Sequence, residues 1–590
     1  MVAGDRLDRI DGRRRRLLAG LAGVSTGATA GCLQQFRSMA NRNSPRDVSL
    51  EVKTVPADID PRGIHIARDV ADNLEAVGIG ATVTPMDEQE LLRDVLINND
   101  FDLYVARHPG YDDPDFLRPL LHSDFVEEPG WQNPFGFTDL EVDDLLDAQR
   151  RSSGDRRRRQ LSELQRAVAR QQPFSVVAFP DDIWAVRTDR FVGWNRFGLR
   201  RALGILGLDA ETDDPDRLDL VTTDDRLTKN LNPLASEFRN RGTFVGLLYD
   251  SLGRRYDGEV RPWLAADWEW SSEGGRPAAR VDLREDLTWH DGEPLTADDV
   301  AFTYELLADT SLGREEDPIP APRFRGRVSL VETVRAVGSR TVEFAFADCD
   351  PEVAVRAFAV PVLPEAEWES KASEANFAGI GLGGQTTEAV VWDNPNPVGS
   401  GPLQFEEREP ADSVVFSRFD DHFLHGDEVA SRFGATFETL QLQVVPSNDA
   451  AIEVLTEARA DAAASTIMPK FVPEVAESDD VEVVSKASRS FYHLGFNVER
   501  APLGNPRFRQ NVARLLDKGT IVSEVFDDYA VPAATPLAVT DWAAPDLEWD
   551  GEDPVVPFFG SGGDLDTDEA HAAFRDAGYR YAKDGSLRNR

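Results

Sequence analysis

Apolar and polar residues alternate with a period that changes several times along the chain, and each change marks a strand or a helix. Residues 49–55 alternate as a strand. Residues 64–77 place apolar side chains at helical spacing, and Gly78 supplies the stop. A second strand is expected at 81–84. Asp87, with Glu90 three residues on, makes a capping box for a helix to about 97. A third strand covers 101–105. Residues 142–171 read as one long charged helix, and 174–179 and 184–187 as two separate strands.

From 218 the texture shifts to short strands, turns and tryptophan-rich segments. A strand at 280–289 enters a turn at His290-Asp291-Gly292, and Thr296 caps a helix over 297–308. A hairpin at 331–346 turns near Gly338. Strands follow at 414–416 and 440–442, and helices at 449–458, 506–517 and 567–577. Residues 540–565, rich in Pro, Gly and Asp, read as loop. The order is that of an α/β protein, and 590 residues exceed one compact core, so two or more domains are expected.

Charge adds a statement about surroundings. The formal net charge is −41, and only seven of the 64 basic residues are Lys. Acidic residues are spread along the whole chain. Such a surface stays soluble in high salt, where screening weakens self-repulsion, and points to a halophilic source. It argues against nucleic acid or an anionic membrane surface as the main partner. Beyond the first thirty residues there is no apolar run of membrane-spanning length.

The N-terminus reads as a targeting segment. Four arginines, Arg13 to Arg16, precede a short Gly-rich apolar run, which resembles a twin-arginine signal. The run ends at Thr29-Ala30-Gly31-Cys32, which resembles a lipobox with Cys32 as the lipid-bearing residue. Residues 33–47 are a polar tether. The alternative is a basic tail ahead of a buried helix. Cys349 is the one other cysteine, so a lipidated Cys32 leaves no intramolecular disulfide. The expected location is the extracellular face of the cytoplasmic membrane.

The segment from Trp289 through His290-Asp291-Gly292-Glu293-Pro294-Leu295-Thr296 to Val300 resembles the signature of the family-5 extracellular solute-binding proteins. These bind peptides, nickel complexes and related solutes for ABC importers. Leu231-Asn232-Pro233-Leu234, Tyr249-Asp250-Ser251-Leu252, Asn396-Pro397-Val398-Gly399-Ser400-Gly401 and Leu494-Gly495-Phe496-Asn497 extend the resemblance over 218–590. Residues 48–205 resemble the family's C-terminal third, here placed first. The simplest account is circular permutation, with the old termini joined near 206–216. A fusion of two incomplete copies is the alternative.

The resemblance implies a two-lobed, periplasmic-binding-protein-like α/β fold (class II, cluster C type) with a cleft between lobes. The smaller lobe would hold 48–172 and 491–590, and the larger 173–490. The chain would close about two crossing strands near Phe174 and Phe491 on a small solute, with an oligopeptide or dipeptide expected. The partners implied are ABC permease subunits and, through Cys32, the membrane; the chain is expected to be a monomer without cofactor or metal. Binding of an oligosaccharide or a metal complex, or reporting to a membrane sensor, are the alternative roles. A hydrolase is disfavoured, because no nucleophile and base are placed together.

Candidate cleft residues follow from the same resemblance. Glu237, Phe238 and Arg239 lie where related peptide binders pair with ligand backbone. Ser400 and Gly401 could bring backbone near a ligand, with a turn between strands as the alternative. Tyr492 and Asn497 sit at a lobe crossing and either face the cleft or pack the hinge. Arg107, His108, Gly110, Tyr111 and Asp112 occupy the stretch where peptide-binding relatives place an Asp that holds the α-amino group. Here Gly110 or Tyr111 falls at that position unless a gap brings in Asp112. The His290 turn reads as structural. Asp564, Asp566 and Asp568 lack the glycine and terminal Glu of a calcium loop, and His422 with His425 lack partners for a metal.

Overall fold

The computed structural model describes residues 47–128, 132–212, 216–235, 244–377, 380–381, 386–426 and 430–589. The signal segment, the lipobox with Cys32 and the tether therefore fall outside the described residues, apart from Asp47.

The first three strands, β1 (Ser49–Thr54), β2 (Gly80–Pro85) and β3 (Leu103–His108), form a parallel trio with β1 in the middle. Helix α1 (Pro61–Ala76) covers them through Ile64, Ile66, Ala67, Val70 and Leu74. Its N-cap, Asp60, accepts hydrogen bonds from the Arg62 and Gly63 N–H groups. Gly78, which ends the helix, has φ +79°, and a Cβ there would lie 2.1 Å from the Gly585 carbonyl oxygen, so only glycine fits. The expected long helix over 142–171 is two: α2 (Leu140–Arg150) and α3 (Gly154–Gln171). They part at Ser152-Ser153, where the backbone turns extended and Gly154 takes φ +52°.

The two strands expected at 174–179 and 184–187 are one. Strand β4 (Phe174–Arg187) runs unbroken through Pro180-Asp181-Asp182. A proline lacks the N–H of a central ladder, and Pro180 is accommodated because it faces the short strand at Ala530–Pro532, just where the sheet changes partners.

Beyond β4 the chain builds the larger lobe. Strands β5 (Arg217–Thr222), β6 (Ala265–Glu273), β7 (Arg276–Leu283), β8 (Val331–Gly338) and β9 (Thr341–Phe346) come first. The last four form an antiparallel sheet in the order β6-β7-β9-β8. Helix α4 (Ala297–Ala308) packs on it and opens at the expected Thr296 cap, which Asp299 completes into a capping box by accepting the Thr296 N–H at 2.9 Å. Strands β10 (Leu403–Glu409), β11 (Ser413–Arg418), β12 (Thr439–Val444) and β13 (Ala462–Ala463) join β5, and β14 (Val481–Ala487) runs back along β4. Strand β15 (Phe491–Phe496) then re-enters the smaller lobe between β4 and β3. The main sheet reads β10-β11-β12-β5-β13-β4-β15-β3-β1-β2. The helix expected over 506–517 is α5 (Pro506–Ala513), which stops four residues short; a second helix that the sequence did not signal, α6 (Lys518–Val525), starts at Asp517, its cap. Helix α7 (Thr567–Asp576) is capped by Asp566, which gives that aspartate its role.

The buried apolar side chains divide accordingly. Two clusters draw on residues from Val48 to Phe179 and from Phe491 to Leu587. Two others draw on Ile183 to Val481. The chain thus crosses between lobes twice, at Pro180–Asp182 within β4 and at Ser488–Ser490 between β14 and β15. The first crossing falls later than Phe174, because Phe174, Val176 and Phe179 stay packed in the smaller lobe. Of the joining stretch at 206–216, Asp209–Ala210 pairs with Phe191–Val192 in the larger lobe.

Candidate functional site

A cavity of about 800 Å³ lies between the lobes beside the two crossings. Its smaller-lobe wall is built from the loop after β3, residues 109–113, with Phe116, Pro119, Leu120 and Gln132 beside it. Gly110 holds this loop against the second crossing: it has φ +62°, and a Cβ would sit 1.8 Å from the Arg489 carbonyl oxygen. The Gly110 N–H donates to His108 Nδ1 at 3.0 Å.

That geometry delivers Asp112 into a ring of arginines. Its carboxylate pairs with Arg201 at 3.2 Å and Arg255 at 3.4 Å, both from the larger lobe, and with Arg489 on the crossing segment. One carboxylate faces three guanidinium groups. The next acids repeat the arrangement more deeply. Asp113 accepts two hydrogen bonds from Arg157 at 2.8 and 3.0 Å and lies 3.5 Å from Arg356. Burial would raise its carboxyl, but the Arg356 and Arg157 charges outweigh this and hold it at about 2. Asp115, fully buried, accepts from Gln149 at 2.7 Å and from Arg356 at 2.8 Å. Arg356 belongs to the larger lobe, so both acids tie the lobes together. Arg325 adds a bidentate pair with Glu128, 2.7 Å to each oxygen.

The larger-lobe wall holds two arginines of another kind. Arg323 donates to the Pro233 carbonyl at 2.6 Å and Arg327 to the Ala359 carbonyl at 2.5 Å. Among the described residues neither has a carboxylate within ion-pair distance. Burial pulls the Arg323 guanidinium down to about 10, with the Arg327 charge adding to the effect. Arg327 also lies 6.0 Å from the Tyr111 ring centre.

Several expected site residues sit elsewhere. Gly110, Tyr111 and Asp112 line the cavity. His108 is buried behind it, stacked on Phe491 with ring centres 4.9 Å apart. Arg107 is turned to the hinge, where it donates to Ser490 Oγ at 2.9 Å and pairs with Asp182 at 3.1 Å. Tyr492 is buried in the smaller lobe's core and donates its hydroxyl to Asp60 at 3.0 Å. Asn497 is likewise buried, with Nδ2 donating to the Asn99 and Phe101 carbonyls at 3.1 and 3.0 Å. Both are packed inside the smaller lobe, and neither lines the cavity.

Ser400 and Gly401 are corrected in the same way. Ser400 Oγ accepts the Asp250 N–H, and a Cβ on Gly401 would meet the Leu247 carbonyl at 2.1 Å. The segment is clipped from its other side by His290, whose ring contacts the Gly401 carbonyl at 2.9 Å and accepts the Gly399 N–H at 3.2 Å. Burial holds His290 near 4, so it stays neutral and structural. His422 is bonded to buried Asp250 at 2.7 Å. Glu237, Phe238 and Arg239 lie outside the described residues.

The arginines of the wall were missed from sequence. The doublets Arg200-Arg201 and Arg254-Arg255, and the alternation Arg323-x-Arg325-x-Arg327, were visible in an acidic chain. Nothing local showed that they converge.

A family model described as bacterial extracellular solute-binding proteins, family 5 middle, matches residues 259–589, more than half of the chain. The chain belongs to this family. Among curated relatives, the peptidoglycan-binding protein YepA of Agrobacterium fabrum is 30% identical over 196 residues, 32% of this chain and 27% of that protein. The dipeptide-binding protein of Escherichia coli K12 is 22% identical over 298 residues, 48% of this chain and 51% of that protein. The chain thus spans between a quarter and a half of the length of these relatives. The solved oligopeptide-binding protein AppA of Bacillus subtilis, in complex with a nonapeptide, is similar at 18% identity and TM-score 0.45. That similarity covers 63% of this chain and 66% of that one.

The family is, by its description, one of extracellular solute-binding proteins. Among the described residues no helix is long and apolar enough to cross a membrane.

Proposed function

We propose that this chain captures a small solute in the cleft between its lobes and hands it to the permease of an ABC importer. The observation that carries this reading is the cavity of about 800 Å³ where two strands cross between lobes in a family 5 chain. Its size suits a small ligand largely withdrawn from water. Both lobes contribute walls, so ligand and lobe closure stabilise one another. Peptides are the first solutes to try, given the Escherichia coli relative. A thermal-shift series in concentrated salt tests the reading, because a ligand that binds only the folded chain raises its melting temperature. At least one di- to pentapeptide or other small solute should raise it by several degrees; no shift from any class would contradict solute capture.

The surroundings form part of the same reading. Export by a twin-arginine signal, a lipid on Cys32 and a salt-rich habitat fit the sequence of the first 47 residues and the net charge of −41. Cys32→Ser should release the protein from the membrane fraction.

The rotated order of the family's parts is supported by neighbours in space. The Val48 N–H donates to the Leu587 carbonyl at 2.8 Å, and Arg588 pairs with Asp47 at 3.1 Å. A chain that joins 589 to 47 and opens between 213 and 215 should fold and bind as the natural order does. Its failure to fold would count against rotation.

A further inference from the structure

The charge of the cavity is opposite to that of the chain. The whole sequence has 105 acidic and 64 basic residues. The cavity wall has nine arginines and one lysine against three aspartates. Some of these cations are compensated: Arg254 pairs with Asp250, Arg200 with Asp182, Arg196 with Asp209 and Arg356 with Asp115. Others are not. Asp112 offers one negative charge to Arg201, Arg255 and Arg489 together. Among the described residues Arg323 and Arg327 donate hydrogen bonds to carbonyl oxygens and pair with no carboxylate, and Lys486 donates only to the Arg196 carbonyl, at 3.0 Å.

Uncompensated cations facing one another in a walled cavity are unfavourable unless something negative enters. Burial lowers both Arg323 and Lys486, as that unfavourable setting requires. A cleft lined by one sign also concentrates field and draws in counter-ions. The same arrangement leaves no free carboxylate for a peptide amine, since Asp112, Asp113 and Asp182 are each engaged by arginine.

We propose that the solute is an anion carrying at least two oxyanion groups, carboxylate or phosphate, held by Arg323, Arg327 and Lys486. This rests on the reading of the cleft as the solute site. Guanidinium groups suit it, because their paired N–H donors match carboxylate and phosphate oxygens. The acidic exterior repels the same anion at long range, but in concentrated salt that repulsion is screened within a few ångströms. Contacts inside the cavity are shorter than that range and persist.

The test is calorimetric titration of the full chain, in concentrated KCl, with solutes matched in size. Glutamyl-glutamate is compared with glutaminyl-glutamine, glucose 6-phosphate with glucose, and lysyl-lysine completes the set. At least one anion should bind about tenfold or more tightly than its neutral counterpart, and the arm that responds distinguishes carboxylate from phosphate. The double variant Arg323→Gln, Arg327→Gln should abolish that preference. Lys486→Gln, at a less buried position, should reduce it severalfold and serves if the double variant does not fold. Equal or tighter binding of a neutral or basic solute overturns the anion assignment and leaves solute capture standing. No binding by any of the five overturns the anion assignment; the cleft reading falls with it only if every solute class also fails in the thermal-shift series.

Discussion

The two walls of the cleft differ in how their charges are used. The smaller lobe presents three aspartates within four residues, Asp112, Asp113 and Asp115, and each is taken up by arginines. The larger lobe presents more guanidinium groups than those acids can absorb, and Arg323 and Arg327 remain turned on carbonyls. The acidic wall is therefore a fastening for the lobes, and the basic wall has capacity left for a ligand. An aspartate in a binding loop need not be a ligand anchor; its partners decide.

The largest effect should come from breaking the deepest fastening. Asp115→Ala leaves Arg150 and Arg356 buried without their shared carboxylate, and should cost about 3–5 kcal/mol of stability, read as a lower midpoint in denaturant. An unchanged midpoint would mean that water replaces the carboxylate and that the fastening is weak.

Acid sharpens the comparison next. Asp113 sits at about 2 in the fold against an ordinary 3.8. A lowered carboxyl stabilises the fold above the unfolded value and loses that contribution as pH falls through the folded one. About 2 kcal/mol should disappear between roughly pH 4 and pH 2, and Asp113→Asn should flatten the pH dependence of unfolding in that window. An equal slope in the variant would assign the loss to other carboxylates.

A smaller effect, but one with a telling sign, belongs to Asp112. It is part-exposed, so Asp112→Asn should lower stability by only about 1 kcal/mol. By freeing Arg201, Arg255 and Arg489 it should tighten binding of a small anion severalfold in the same titration. If Asp112 instead held a peptide amine, the variant would lose affinity.

Much of the fold was legible because period and capping act locally. The strand at 49–55, the helix stopped by Gly78 and the Thr296 cap all depend on neighbours in sequence. Strand β4 was not, because Pro180-Asp181-Asp182 has the composition of a turn, and only pairing with strands some three hundred residues away keeps it extended. The division of the helix at Ser152-Ser153 escaped for the opposite reason, since charge and helix propensity continue across it. In the site, the loop at 110–112 was legible from its resemblance. Tyr492 and Asn497 were placed near the right crossing but on its packed side, which side-chain type alone does not reveal. The arginine wall comes from separated segments brought together by two crossings, and no window of sequence contains it.

The most direct measurement is a crystal structure of the full chain grown with whichever anion shifts its melting temperature most. Oxyanion groups within hydrogen-bond distance of Arg323 and Arg327, enclosed by both lobes, are the predicted result. A ligand bound outside the cleft, or inside it with its charged groups turned away from these arginines, would contradict the account.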